Sequence, residues 1–294
     1  MMAKFSKEYR LFLAAARCNA LHSSTIYVIT SIYALYGFIC SFTNIKIILT
    51  IDSWKDWWKL ITLLLFIYVI CFVCCYIANR ICKRHLITNI SSEHNAYYIY
   101  GDILNVPSIE NKEINIVIPV NCCFDTTIDN EVISENSLHG QFFKALYENE
   151  LISERKLHEE IEKSLQRASA PYEIISDKKR GYKKRYCEGS IAEIRAYPNT
   201  KHFLLALSHF EGAATQTTLE AYFTALTRLF EHICNRSQGS PVLIPLIGAG
   251  LSKTRISENC LFHALVNFIH IYKSSIHCDI YIVLSEKLQI KIPR

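Results

Sequence analysis

Residues 241–252 read PVLIPLIGAGLS. An apolar run ends in Gly248, Ala249 and Gly250, and a helix-like stretch follows. The apolar run reads as a buried strand. The two glycines permit close backbone approach and positive φ. The N–H groups of residues 248–252 can then converge on an anion near a helix start. The stretch is not a Walker loop, which would need glycines where Ile247 and Ser252 stand. Nor is it a dinucleotide fingerprint, since no third glycine follows. Taken alone, it reads either as a strand closed by a tight turn or as a loop cradling a phosphate.

The surrounding chain supplies the sheet. Tyr97–Leu104 and Ile114–Val120 read as strands, and Gln141–Asn149 and Glu154–Ala168 as helices, the second with Ser153 as N-cap. Strands at Ser190–Tyr197 and His202–His209 precede an amphipathic helix from Thr218 to about Cys234. Leu219, Tyr222, Phe223, Leu226, Leu229, Phe230 and Ile233 make its apolar stripe, and Thr217 with Glu220 makes a capping box. A helix near Glu258–Tyr272 and a strand at Asp279–Leu284 close the pattern. This alternation predicts an α/β sandwich, with helices on both faces of one sheet.

The chain ahead of it is different. Half the residues of the protein are hydrophobic, and mean hydropathy is +0.13. The excess is concentrated before residue 83. Ile26–Phe42 and Leu60–Asn79 carry no charged residue. Roughly 20 helical residues cross a bilayer core of about 30 Å, so both runs read as membrane spans, at about 26–49 and 60–81. Lys4, Lys7, Arg10 and Arg17 precede the first span, and Arg80, Lys83 and Arg84 follow the second. In the connector, Lys55 and Lys59 are balanced by Asp52 and Asp56. The positive-inside rule then puts the N-terminus and everything after Arg84 in the cytoplasm, with the membrane crossed twice. Trp54, Trp57 and Trp58 fit the far headgroup layer. The expected organisation is an amphipathic leader at 1–23, a two-helix hairpin within 24–84, a linker at 85–96 and the α/β domain at 97–294.

Other clusters carry less. The twelve cysteines include no pair of C-x-x-C motifs and no Cys/His set at zinc spacing. No metal ligand and no catalytic residue is assigned. The run of Lys178, Lys179, Arg180, Lys183, Lys184 and Arg185 invites a nucleic-acid reading. Net charge is only +5 and no aromatic RNA platform accompanies it, so the run reads as a solvated or lipid-facing loop, and no nucleic-acid partner is expected.

Ligands of open α/β sheets bind at the carboxyl ends of strands. Three such ends stand out. In YIYGDILN, Asp102 either closes a turn or accepts a hydrogen bond from an exocyclic amine. In INIVIPVNCCFDTT, Asn121 is either a turn residue or a donor and acceptor for a ribose. The third is the opening stretch.

In this order, GDIL, VIPVN and PLIGAG resemble the macro domain, a three-layer α/β/α ADP-ribose-binding fold. KRYCEGSIAEI, FLLALSHFE, TTLEAYFTAL and PLIGAGLSKTRIS are more closely similar to the ThsA family of Thoeris anti-phage effectors, in its form with two N-terminal membrane spans. The resemblance implies that Asp102 holds the adenine amine beside the N–H of Ile103, and that Asn121 faces the distal ribose. It implies that Pro245, Gly248, Ala249, Gly250, Leu251 and Ser252 form the diphosphate loop. In the other loop the family's glycine run is replaced, and only Gly140 matches it, with Asp125, Thr126, Leu138 and His139 as lining residues. The ligand implied is an ADP-ribose derivative, histidine–ADP-ribose, made by an NAD-consuming TIR-domain partner. Binding would drive homo-oligomerisation and disruption of membrane lipids, and so abortive infection. No cofactor is implied. The alternative is a membrane-tethered ADP-ribosyl hydrolase.

Overall fold

The structure is a computed structural model that describes residues 19–42, 54–81, 84–105, 113–211, 214–250 and 256–290. It divides into two compact units, 1–83 with 287–294, and 84–286.

In the first unit, α1 (Asn19–Phe42) packs along α2 (Trp54–Ile81). His22 Nδ1 meets the hydroxyl of Tyr68, and the His22 ring also lies 5.2 Å from that of Phe72. Away from this seam the helices present apolar side chains outward, among them Ile26, Ile32, Leu64, Leu65, Phe66 and Val69. Among the described residues no helix is long and apolar enough to cross a membrane. The two spans stand as a reading of the sequence. The leader through residue 18 and the connector 43–53 lie outside the described residues.

The second unit is a mixed α/β fold around one sheet. Its strands are β1 (His85–Asn89), β2 (Asn95–Tyr100), β3 (Ile114–Asn121), β4 (Tyr172–Ile174), β5 (Lys184–Tyr186), β6 (Ile191–Tyr197), β7 (Thr200–Glu211), β8 (Ala214–Gln216), β9 (Val242–Pro245) and β10 (Ile280–Leu284). The sheet runs β1-β2-β10-β9-β3-β7-β6, with β8 beside β7, while β4 and β5 pair apart from it. The five inner strands, β2 to β7 in that order, are parallel; β1 and β6 are antiparallel edges. All five inner carboxyl ends therefore open on one edge of the sheet.

Residues 85–96 are not a free hinge. HLITN forms β1, paired to β2 with an irregularity between Leu86 and Thr88. Its apolar alternation is weak, and pairing with the tyrosine-rich β2 supplies what the pattern lacks: His85 stacks on Tyr98 at 4.8 Å.

β3 shows why the core sits where it does. Ile114, Ile116, Ile118 and Val120 point to one face, where they join Phe142, Phe143 and Leu146 of α3 (Leu138–Glu148) and Leu157, Ile161 and Leu165 of α4 (Glu154–Arg167). Each such buried side chain contributes about 1.5–3 kcal/mol. On the other face α5 (Leu219–Arg236) packs on β7, and α6 (Glu258–Tyr272) packs on α5. The stripe of α5 holds as the sequence predicts, with Tyr222, Leu226, Leu229, Phe230 and Ile233 fully buried, while Leu219 and Phe223 lie on its exposed border. The cap differs by one residue. Thr218 accepts the N–H of Ala221, and Thr217 instead donates to the Leu207 carbonyl. Ser153 caps α4 as expected.

Candidate functional site

Two prolines open the sheet. β3 pairs with β9 only through Asn115–Val242 and Ile116–Leu243. Beyond that point Pro119 of β3 and Pro245 of β9 have no N–H to give to a ladder. A cavity of about 230 Å³ lies at this split, with Pro119, Asn121, Ser208 and Pro245 in its wall. The loop Leu246–Gly250 forms one lip, with Gly248 at φ +88° and room for a substituent at Gly250. The start of α3 forms the other, through Ser137, Leu138 and His139.

This start is built to stay rigid. Ser137 accepts the N–H of Gly140 at 2.9 Å, which caps the helix and leaves earlier N–H groups free for an anion. Gly140 itself faces backbone, since a Cβ there would lie 2.2 Å from the Ser134 carbonyl oxygen. His139 is buried against Phe143 and bonds to the backbone of Asp125; Nε2 has no partner. Burial holds its pKa down to about 3, so the ring is neutral at physiological pH.

Asn121 is positioned by the loop that follows it. Its Nδ2 donates to Asp125 at 3.0 Å and its Oδ1 accepts the Asp125 N–H. Asp125 is 1% exposed and does not line the cavity. Its carboxylate accepts from Lys178 Nζ at 2.7 Å and from the Tyr182 N–H at 2.6 Å. Thr126, another predicted lining residue, bonds the Tyr182 hydroxyl at 2.8 Å. Asp125 and Thr126 thus fasten a distant strap, residues 175–185, to the carboxyl end of β3.

That strap is the feature the sequence reading missed. With Asn121, Val132 and Ser208 it encloses a second chamber of about 620 Å³ that shares those three residues with the first. Its wall carries Lys178, Lys179, Arg180 and Arg185. A glycine and an aromatic inside the basic run, Gly181 and Tyr182, were the available signal of an anchored turn. Cys122 and Cys123 also reach this chamber, and burial pushes both thiols up, which keeps them protonated at neutral pH.

Asp102 lies at the same edge of the sheet but in neither chamber. It is exposed at the end of β2, where its carboxylate accepts from the Leu104 N–H and from Asn105 Nδ2. Ile103 beside it is buried. Two strand spacings, about 10 Å, separate β2 from β9. Leu251 and Ser252 lie outside the described residues. A larger polar groove of about 700 Å³ runs along β6 and shares no wall residue with either chamber.

The family described as Thoeris protein ThsA, Macro domain, matches residues 99–285. The Thoeris protein ThsA of Bacillus amyloliquefaciens (strain Y2) is 26% identical over 170 residues, 56% of this chain and 53% of the relative. The chain thus spans about half the length of that relative. Two solved structures of Bacteroides thetaiotaomicron proteins, one titled as of unknown function, are 12% and 13% identical. They cover 63% and 64% of this chain, and 97% and 98% of their own, at TM-scores of 0.37 and 0.32.

Proposed function

The chain belongs to the ThsA macro-domain family of Thoeris proteins, and from that premise we propose that it is an anti-phage effector that senses an ADP-ribose-derived signal and acts at a membrane. The signal, made from NAD by a TIR-domain partner, is histidine–ADP-ribose. The observation that carries this reading is the cavity at the split between β3 and β9, set between the Gly248–Gly250 loop and the start of α3. A diphosphate there meets backbone N–H groups and a helix dipole from one side and a glycine loop from the other. The adenine extends toward Asp102, and the distal ribose lies at Asn121.

The membrane part of the proposal rests on the charge-free runs and on the apolar side chains that α1 and α2 turn outward. Two spans cannot enclose a pore alone, so disruption of the bilayer requires several copies. A ligand shifts that assembly only if it binds the assembled state more tightly.

Calorimetry on the full chain in detergent tests the sensor reading, with ADP-ribose, NAD and histidine–ADP-ribose as ligands. Stoichiometric binding, tightest for the conjugate, and ligand-dependent growth in particle size are expected. No heat with any of the three would sink it. Steady turnover of ADP-ribosylated protein would replace it with the hydrolase.

A further inference from the structure

The basic strap has a purpose that its sequence conceals. In the second chamber, four cationic side chains, Lys178, Lys179, Arg180 and Arg185, face two carboxylates, Glu131 and Asp177. Lys178 is committed, being held by Asp125 at 2.7 Å and by the Tyr182 carbonyl at 2.9 Å. Arg180, itself exposed, pairs with half-buried Asp129 and exposed Glu131, and half-buried Arg185 pairs with exposed Glu173. Pairs of this kind are weak and exchange readily for a better anion. Lys179 has no ion-pair partner among the described residues. The strap is nevertheless not a loose solvated loop. Asp125 and Thr126 pin it at Tyr182, whose ring also stacks on His158 at 3.6 Å. Cations carried on this pinned strap, around a concave space that opens beside Asn121, make an anion site.

We propose that this chamber reads a negative charge on the group attached to the distal ribose, with Lys179 and Arg180 as specificity-determining residues. The proposal rests on the nucleotide reading above and deepens it. The first chamber takes what every ADP-ribose derivative shares. The second takes what distinguishes a signal from plain ADP-ribose, whose distal hydroxyl brings no charge. A carboxylate placed there meets cations on a strap already pinned at Tyr182, and it displaces Glu131 from Arg180 rather than ordering a new loop.

The test uses the full chain in detergent and three probes. These are ADP-ribose, ADP-ribose conjugated to an amino acid with a free carboxylate, and the same conjugate as its carboxamide. The free carboxylate is expected to bind about tenfold tighter than the amide at low salt, with the gap narrowing as ionic strength rises. In the Lys179→Ala/Arg180→Ala variant the gap closes while ADP-ribose affinity stays within about twofold of wild type. Equal binding of acid and amide by a wild-type protein that does bind ADP-ribose overturns this proposal and leaves the nucleotide reading intact. Equal loss of ADP-ribose binding in the variant also overturns it. Absence of binding by all three probes overturns both.

Discussion

The amide of Asn121 grips Asp125 by two hydrogen bonds, donating from Nδ2 to the carboxylate Oδ2 at 3.0 Å and accepting the Asp125 backbone N–H at Oδ1 at 3.1 Å. A residue expected to face a ribose is thus also the clasp of its own loop. A ligand hydroxyl must share this amide, so the clasp sets the orientation in which Asn121 can meet it.

Asn121→Ala removes both bonds and is expected to cost about 1–3 kcal/mol of stability. In the proposed sensor it also weakens nucleotide binding by at least about tenfold. Thermal unfolding and calorimetry on the same preparation separate the two effects. A variant that keeps full affinity would remove Asn121 from the site.

Asp125→Ala should release the strap. It leaves Lys178, only 15% exposed, without its carboxylate, a loss of about 3–5 kcal/mol for a buried pair. Limited trypsin digestion is the direct measurement, with cleavage at Lys178–Arg185 accelerating well before global unfolding. Gly181→Ala should act the same way, since Gly181 sits at φ +75° and a Cβ would come within 2.2 Å of Asp125 Oδ1. Unchanged digestion in both would show that the strap is held elsewhere.

Gly250, in the wall of the first chamber, and Gly140, packed against backbone behind its other lip, should respond in opposite ways. Gly140→Ala drives a Cβ into the Ser134 carbonyl and is expected to destabilise by about 1–3 kcal/mol or more. Gly250→Ala meets nothing within 4 Å and should leave stability within about 0.5 kcal/mol. Gly250→Leu would then occupy the cavity mouth and block nucleotide without unfolding the protein. Denaturant titration of the three variants, followed by binding assays, checks the contrast.

Acid should destabilise the α/β unit through its buried histidines. Burial lowers the pKa of His139 and of His202 to about 3, against an ordinary 6.5. Between those values the unfolded chain binds more protons than the folded one. Stability is therefore full above about pH 6.5 and falls as pH drops toward 3, by up to about 1.4 kcal/mol per pH unit for each histidine. His202→Phe should flatten the slope by about one proton, since the ring already packs against Phe142 at 4.5 Å. Urea titrations from pH 7 to pH 4 give the slope directly.

Most of the sheet was legible because its signals are local. The α5 stripe repeats within one helix, and INIVIPVN is apolar enough to be buried on both faces wherever it lies. β1 was not legible, because HLITN alternates poorly and gains its place from β2. The strap was misread for a similar reason. Its charges are visible in the sequence, but Lys178 and Asp125 meet across 53 residues, and no spacing rule announces such a pair. Pro119 and Pro245 were visible as residues, yet their effect depends on standing in neighbouring strands.

The strand order carries a consequence for how a cell makes this molecule. β10 lies between β2 and β9, so the sheet stays split until residues 280–284 have been synthesised. The helical pair at 19–81 emerges from the ribosome long before that. A nascent chain thus carries the helical pair while its sheet is still two fragments. In the proposed sensor, the late arrival of one short strand withholds a joined binding edge until residue 284 has been made.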